Sequence, residues 1–258
     1  MLAPTARFST RVANYVRYRP GYPAAVIDWL RAECGLTPNA VVADIGSGTG
    51  KLAELFLQNG NRVIGVEPNR EMREAGEREL AGFPNFASVD GAAEATTLPA
   101  AGADFITAGQ AFHWFEPEPT QREFARILRP SGWVAVVWNA RAMASPFQQA
   151  YEELLLEFCP EYTQVNHRDV SEDDLRRWLG LEPFLKASFA NGQSLDFDGL
   201  AGRLLSSSYA PEPGHANHAP MMAALAGLFA RFQAEGRVQF AYETEVYAGQ
   251  MGGASNRY

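Results

Sequence analysis

The segment Val41-Val42-Ala43-Asp44-Ile45-Gly46-Ser47-Gly48-Thr49-Gly50-Lys51-Leu52 decides the fold. Val41 to Ile45, mostly apolar, reads as a short buried strand. Three glycines in five residues then turn the chain sharply, since a residue without a Cβ accepts backbone angles that others resist. Lys51 to Asn59 follows as a helix with Leu52, Leu55 and Phe56 on one face. Strand, glycine turn and helix in that order let a ligand approach the main chain closely, and amides at the helix start favour an anionic or polar group.

Working outward, the alternation continues. Arg62 to Val66 is a second strand, and Asn69 caps a helix that runs to about Leu80. Phe86 to Val89 and Asp104 to Ala108 are the third and fourth strands, and Glu118 to Leu128 is helical. Pro130-Ser131-Gly132 turns the chain into a fifth strand, Trp133 to Trp138. Strands separated by helices of this length predict a parallel sheet with helices on both faces.

Upstream, Ala6 to Tyr15 and Pro23 to Cys34 read as helices around the loop Arg17-Tyr18-Arg19-Pro20-Gly21-Tyr22-Pro23. Downstream, Phe147 to Phe158, Ser171 to Leu179, Phe197 to Leu205 and Pro220 to Ala234 are helical. Lys186 to Leu195 and Val238 to Tyr247 add two strands, and Gln250 to Tyr258 is a small polar tail. The expectation is an α/β, Rossmann-like, doubly wound, seven-stranded and mostly parallel sheet in one domain over 1–258. Its core is about 36–139 plus the strands near 186–195 and 238–247. The cap is built from about 1–35, 140–183 and 197–235.

Thirty acidic against 22 basic residues give a net charge of −8. Nucleic-acid binding needs a concentrated basic patch to displace counterions, and no Lys/Arg cluster of that kind occurs. Cys34 and Cys159 show neither metal-ligand spacing nor a paired framework. The start lacks a hydrophobic signal core, and no apolar run approaches the ~20 residues that span a bilayer. These readings predict a cytoplasmic protein with no nucleic-acid or membrane partner and no metal; they leave the oligomeric state open.

Glu67 ends the second strand, seventeen residues after Gly50. A carboxylate there can accept hydrogen bonds from both hydroxyls of a ribose. Three ligands compete for the glycine turn. A phosphate-gripping loop needs Gly-Lys-Ser/Thr, whereas Gly50-Lys51-Leu52 lacks the hydroxyl. A dinucleotide site wants its third glycine where Lys51 stands. The Gly-x-Gly-x-Gly form is similar to S-adenosylmethionine sites.

Several further segments, in one order, support that last choice. Val42 to Gly50 and Val63-Ile64-Gly65-Val66-Glu67-Pro68-Asn69 resemble the first two motifs of class I methyltransferases. Gly91-Ala92-Ala93-Glu94 with Leu98-Pro99 resembles their adenine-bordering segment, although Ala92 stands where an acid is frequent. Asp90 or a backbone amide would then face the adenine amine. Gln110-Ala111-Phe112-His113-Trp114-Phe115 and Tyr15-x-x-Tyr18-Arg19-Pro20-Gly21-Tyr22-Pro23 resemble signatures of the type 11, small-molecule subgroup. The resemblance is close from about Phe8 to the fifth strand and looser beyond.

What the resemblance implies is S-adenosyl-L-methionine as cofactor and S-adenosyl-L-homocysteine as product. The implied cofactor residues are Arg19, Asp44, Gly46, Ser47, Gly48, Gly50, Glu67, Pro68, Ala93, Glu94 and Gln110. Asp44 would orient the loop and the methionine amino end, and Arg19 would meet the cofactor's carboxylate. Methyl transfer needs binding, water exclusion and alignment, but no metal and no covalent nucleophile.

His113 follows the fourth strand's carboxyl end, where ligands bind in open parallel sheets. It is the candidate catalytic base, and the preferred reading is that it walls the pocket with Trp114. Of the other histidines, His167 forms no metal-spaced pair, and His215 and His218 read as surface residues. Tyr18, Trp114, Asn139 and Tyr209 are the candidate substrate-pocket residues. The expected reaction is O-methylation of a carboxylate or hydroxyl on a small molecule. A nicotinamide-nucleotide oxidoreductase and a non-catalytic cofactor-binding regulator are the alternatives.

Overall fold

β1 (Val41–Ile45) lies between β2 (Arg62–Val66) and β4 (Ala103–Gly109) and pairs with both in parallel. That position explains its near-continuous apolar sequence, because a strand covered on both faces has no polar side. The computed structural model describes residues 11–164 and 172–251. The starts of the helices expected from Ala6 and from Ser171, together with His167 and most of the polar tail, lie outside the described residues.

β3 (Phe86–Val89) extends the sheet beyond β2, and β5 (Leu128–Arg141) pairs in parallel with β4. With β6 (Leu181–Leu195) and β7 (Val238–Met251) the sheet has seven strands in the order β3-β2-β1-β4-β5-β7-β6. The helices are α1 (Val12–Tyr18), α2 (Ala25–Cys34), α3 (Lys51–Gln58), α4 (Arg70–Glu79), α5 (Pro117–Ile127), α6 (Pro146–Phe158), α7 (Glu172–Leu179), α8 (Phe197–Leu205) and α9 (His218–Phe232).

Contacts divide the described residues into two units. A sheet unit comprises 21–138, 172–189 and 244–251; a helix-rich unit comprises 11–20, 139–164 and 190–243. In the sheet unit, strand residues alternate between two cores. Val42, Phe105, Ala135 and Val137 pack with α2 and α3 through Leu30, Leu52 and Phe56. Their neighbours Ala43, Ile106, Val134 and Val136 pack with α5 and α7 through Phe124, Ile127, Leu175 and Leu179. This alternation is the strand period of two acting on a sheet sandwiched between helix layers.

In the helix-rich unit, α6, α8 and α9 bury Tyr151, Leu155, Leu200, Leu204, Met221 and Leu225 around Phe240 and Tyr242 of β7. Tyr18 of α1 lies against α8 so closely that a Cβ on Gly202 would sit 2.1 Å from its ring.

Two expectations need correction. Pro130-Ser131-Gly132 does not precede β5 but lies within it, with Ser131 at φ +63°. The pairing jumps from Ala103↔Leu128 to Phe105↔Trp133, so the extra residues form a bulge that is absorbed without ending the strand. β6 begins at Leu181 rather than Lys186, ahead of Pro183. It is the edge strand, where a residue lacking an N–H is tolerated.

Candidate functional site

The carboxyl ends of β1, β2 and β4 bring the glycine turn, Glu67 and the Gln110–Phe115 segment into one region of the sheet unit. Gly46, Gly48 and Gly50 all take positive φ, +66°, +56° and +81°. A Cβ at Gly46 would stand 2.6 Å from the Ala111 Cβ, so the turn and the segment after β4 touch where only glycine fits.

The amides of the turn are not free. Gly46 and Ser47 donate to the Val66 carbonyl at 2.9 and 3.2 Å, and Gly50 donates to the Ser47 carbonyl at 2.8 Å. Gly48 donates to Glu67 Oε2 at 2.9 Å. Four amides of the turn, those of Gly46, Ser47, Gly48 and Gly50, thus already have acceptors within the protein, which leaves any anion to the first amides of α3. A phosphate nest needs those N–H groups pointing at the ligand.

The carboxylates tell the complementary story. Glu67 is buried, and its other oxygen accepts the Asn69 amide at 2.8 Å. Each oxygen thus holds one backbone N–H and keeps a second lone pair for a hydroxyl donor. Burial raises the Glu67 pKa, and the Asn69 and Gly48 amides oppose that rise. Asp44 is 1% exposed; Oδ1 accepts the Thr107 hydroxyl at 2.8 Å, while Oδ2 has no partner. Burial pushes Asp44 up to about 7, with Thr107 pulling the other way. The Thr49 hydroxyl, farther along in the glycine turn, is buried and also unpartnered. The floor of this site is acidic, dry and incompletely hydrogen-bonded, which fits a group carrying positive charge and hydroxyls.

The remaining residues fall into distinct roles. Pro68 is exposed beside Glu67, and Asn69 caps α4 by accepting the Met72 amide at 2.9 Å. Ala93 is buried. Glu94 accepts the Glu116 amide at 2.9 Å, so its carboxylate serves the start of α5. Asp90 pairs with Arg73 at 3.2 Å, which limits its availability to an adenine amine. Gln110 sits at φ +58°, a strained angle for a non-glycine residue, and this reverses the chain into the short 3-10 turn Phe112–Trp114. His113 and Trp114 hold their ring centroids 4.7 Å apart. Phe112 packs edge-on to Phe115 and Trp138 beneath them.

Tyr18, Arg19, Asn139 and Tyr209 fall in the helix-rich unit. Asn139 is buried and accepts from Asn191 at 3.1 Å, and Tyr209 stands edge-on to Tyr162 at 4.9 Å. Tyr18 is a packing residue against Gly202, and Arg19 donates to the Ser206 carbonyl at 3.1 Å. His215 is exposed and His218 half-buried. Two residues escaped sequence reasoning. Thr107 had a signal, a hydroxyl inside an apolar strand; Tyr22, whose OH would lie 2.7 Å from a Cβ on Gly109, had only its place in a motif.

Residues 43–136 match a family described as a methyltransferase domain. An uncharacterized methyltransferase of Schizosaccharomyces pombe is 32% identical over 149 residues, covering 57% of this chain and 58% of its own. One of Mycobacterium tuberculosis is 37% identical over 134 residues, 52% of each chain. The chain thus spans a little over half the length of these curated relatives. Among solved structures, a provisionally assigned type II methyltransferase of Anaeromyxobacter dehalogenans superposes with TM-score 0.64 at 22% identity, covering 91% of this chain and 98% of its own. A provisionally assigned methyltransferase of an antibiotic biosynthesis pathway from Anabaena variabilis gives 0.58 at 19%, covering 89% and 98%. The strand order and these likenesses identify the sheet as the Rossmann-like fold of class I methyltransferases.

Proposed function

We propose that this chain, in which residues 43–136 carry a methyltransferase domain, transfers the methyl group of S-adenosylmethionine to an oxygen of a small molecule, a carboxylate or a hydroxyl. The carrying observation is the pairing of a glycine turn whose amides are already satisfied with two buried, incompletely bonded carboxylates, Asp44 and Glu67. A pyrophosphate placed there would meet two buried acids and find the Gly46, Ser47, Gly48 and Gly50 amides already engaged. An adenosyl sulfonium with an ammonium end would find counter-charge and hydroxyl acceptors.

When bound, the cofactor supplies a methyl on a positively charged sulfur, which keeps the electron pair of the broken S–C bond as the acceptor oxygen forms the new O–C bond. The protein's residues do the rest. Glu67 would hold the ribose hydroxyls, and Asp44 Oδ2 the ammonium group. Gly46 and Gly48 admit the ligand against the main chain, bordered by Ser47, Gly50, Pro68, Ala93 and Gln110. Glu94 contributes through its backbone, since its carboxylate is occupied by α5. His113 and Trp114 wall the methyl-bearing side and exclude water. A carboxylate acceptor is already ionised at neutral pH and needs no base.

Calorimetric titration with S-adenosylhomocysteine and with NADH tests the reading. Binding of the former and not the latter is expected; the reverse would sink it. Incubation of labelled cofactor with small acids and phenols then distinguishes an enzyme from a protein that only binds.

A further inference from the structure

The helix-rich unit holds a group of arginines whose charge is not balanced. Arg203 of α8 is 5% exposed, and its Nε donates to the Tyr242 hydroxyl at 2.8 Å. Its NH1 donates to Ser207 Oγ at 3.2 Å, and Arg19 NH2 reaches the same oxygen at 3.4 Å. Two guanidinium groups therefore converge on one hydroxyl. Among the described residues, neither has a carboxylate at ion-pair distance. Two further arginines of the unit are neutralised, Arg141 by Glu152 at 2.5 Å and Arg11 by Glu212 at 3.4 Å.

Arginine cannot shed its proton. Two such charges close together in desolvated surroundings repel each other, and burial followed by repulsion from Arg203 lowers the Arg19 pKa. The groups that oppose this are tyrosines: Tyr15, Tyr209 and Tyr242 around Arg19, and Tyr242, Tyr151 and Tyr209 around Arg203. Aromatic faces help, with Arg19 5.0 Å from the Tyr15 ring and Arg203 5.6 Å from Phe240. The carboxyl end of α8 also offers carbonyls, but a helix terminus is worth only about half a charge against two full ones. Two donors are left over as well. Arg19 Nε and the hydroxyl of Tyr151, itself 1% exposed, are buried without a partner.

We propose that Arg19, Arg203 and Tyr151 form a carboxylate-binding pocket in the helix-rich unit, and that its ligand is a small organic acid rather than the cofactor's carboxylate that the resemblance assigns to Arg19. A carboxylate is the ligand whose planar pair of oxygens matches a guanidinium fork and whose remaining lone pairs accept phenolic hydroxyls. That the pocket binds an acid does not depend on the methyltransferase reading.

The test uses the full chain and titrates succinate, glutarate and inorganic phosphate by calorimetry, alongside S-adenosylhomocysteine. The dicarboxylates are expected to bind wild type at millimolar concentration or better, ahead of phosphate. Arg203→Gln should weaken them about tenfold or more and leave S-adenosylhomocysteine affinity within about twofold. Tyr151→Phe keeps the proposal testable if Arg203→Gln fails to fold. Removing a buried, unpartnered hydroxyl should not lower the melting temperature, yet should weaken succinate binding several-fold. A residue with a purely packing role would leave that affinity unmoved. Absence of dicarboxylate binding to wild type, preference for phosphate, or loss of S-adenosylhomocysteine instead of succinate in Arg203→Gln would each overturn the proposal. Failure of S-adenosylhomocysteine to bind wild type while succinate binds would remove the methyltransferase reading and leave the acid pocket standing.

Discussion

Gly48 donates its amide hydrogen to Glu67 Oε2 at 2.9 Å, joining the turn after β1 to the acid that ends β2. The bond holds the carboxylate in place before any ligand arrives. Glu67→Gln should therefore do more than remove a charge. The amide NH2 of glutamine must face either the Gly48 or the Asn69 N–H, leaving two donors opposed. We expect a loss of about 1–3 kcal/mol, seen as roughly tenfold to hundredfold weaker S-adenosylhomocysteine binding in a titration.

Gly46→Ala places a methyl 2.6 Å from the Ala111 Cβ on a backbone at φ +66°. The Ala111 Cβ cannot swing aside as the end of a flexible side chain could. The variant should lose about 1–3 kcal/mol of stability, read as a lower denaturation midpoint, together with most of its cofactor affinity.

Asp44 titrates near 7 in the folded protein against an ordinary 3.8, chiefly because it is buried. The folded state then holds more protons than the unfolded one between these values. Stability is greatest below about pH 4 and falls as pH rises toward 7, by about 4 kcal/mol at most from this group. Binding of a cationic ligand should run the opposite way and tighten as Asp44 ionises. Asp44→Asn should flatten both profiles in pH-dependent denaturation and titration.

Thr107→Val leaves Asp44 Oδ1 without its only side-chain donor. The expected cost is about 1–3 kcal/mol at pH 8, shrinking at pH 5, where the carboxyl is protonated. Equal losses at both pH values would show that packing, not the hydrogen bond, is what the threonine supplies.

His113→Asn should leave S-adenosylhomocysteine affinity unchanged and reduce turnover modestly, with the same pH dependence as wild type. Abolished turnover at every pH, with affinity intact, would instead make the histidine a proton acceptor.

The order and type of the sheet elements were legible because each strand–turn–helix step is local: apolar runs mark β1 to β4, and Asn69 caps α4 as its side chain demands. What could not be read depends on distant partners. Ser131 looks like a turn residue until β4 pairs on both sides of it. Pro183 looks like a strand breaker until β6 proves to be an edge. The same holds at the site. Asp44, Glu67 and the glycines could be singled out from their spacing alone, but the condition of the turn's amides could not, since Val66 at the end of β2 and Glu67 after it accept them. Arg203 in Phe197-Asp198-Gly199-Leu200-Ala201-Gly202-Arg203 resembles a solvated helix cation, yet it is buried and donates to Tyr242, 39 residues on.

Tyr18 and Gly202 are neighbours in sequence of Arg19 and Arg203, and the ring of one lies where a side chain on the other would have to be. The contact acts as a spacer gauge for the two guanidinium groups. Its thickness is a single aromatic ring, and with that ring in place no side chain fits at position 202. Shaving the ring with Tyr18→Leu, or filling the gap from Gly202, would reset the separation of the charges without touching either arginine. On the proposal above, the span of acid that the pocket would take is set one residue away from Arg19 and Arg203.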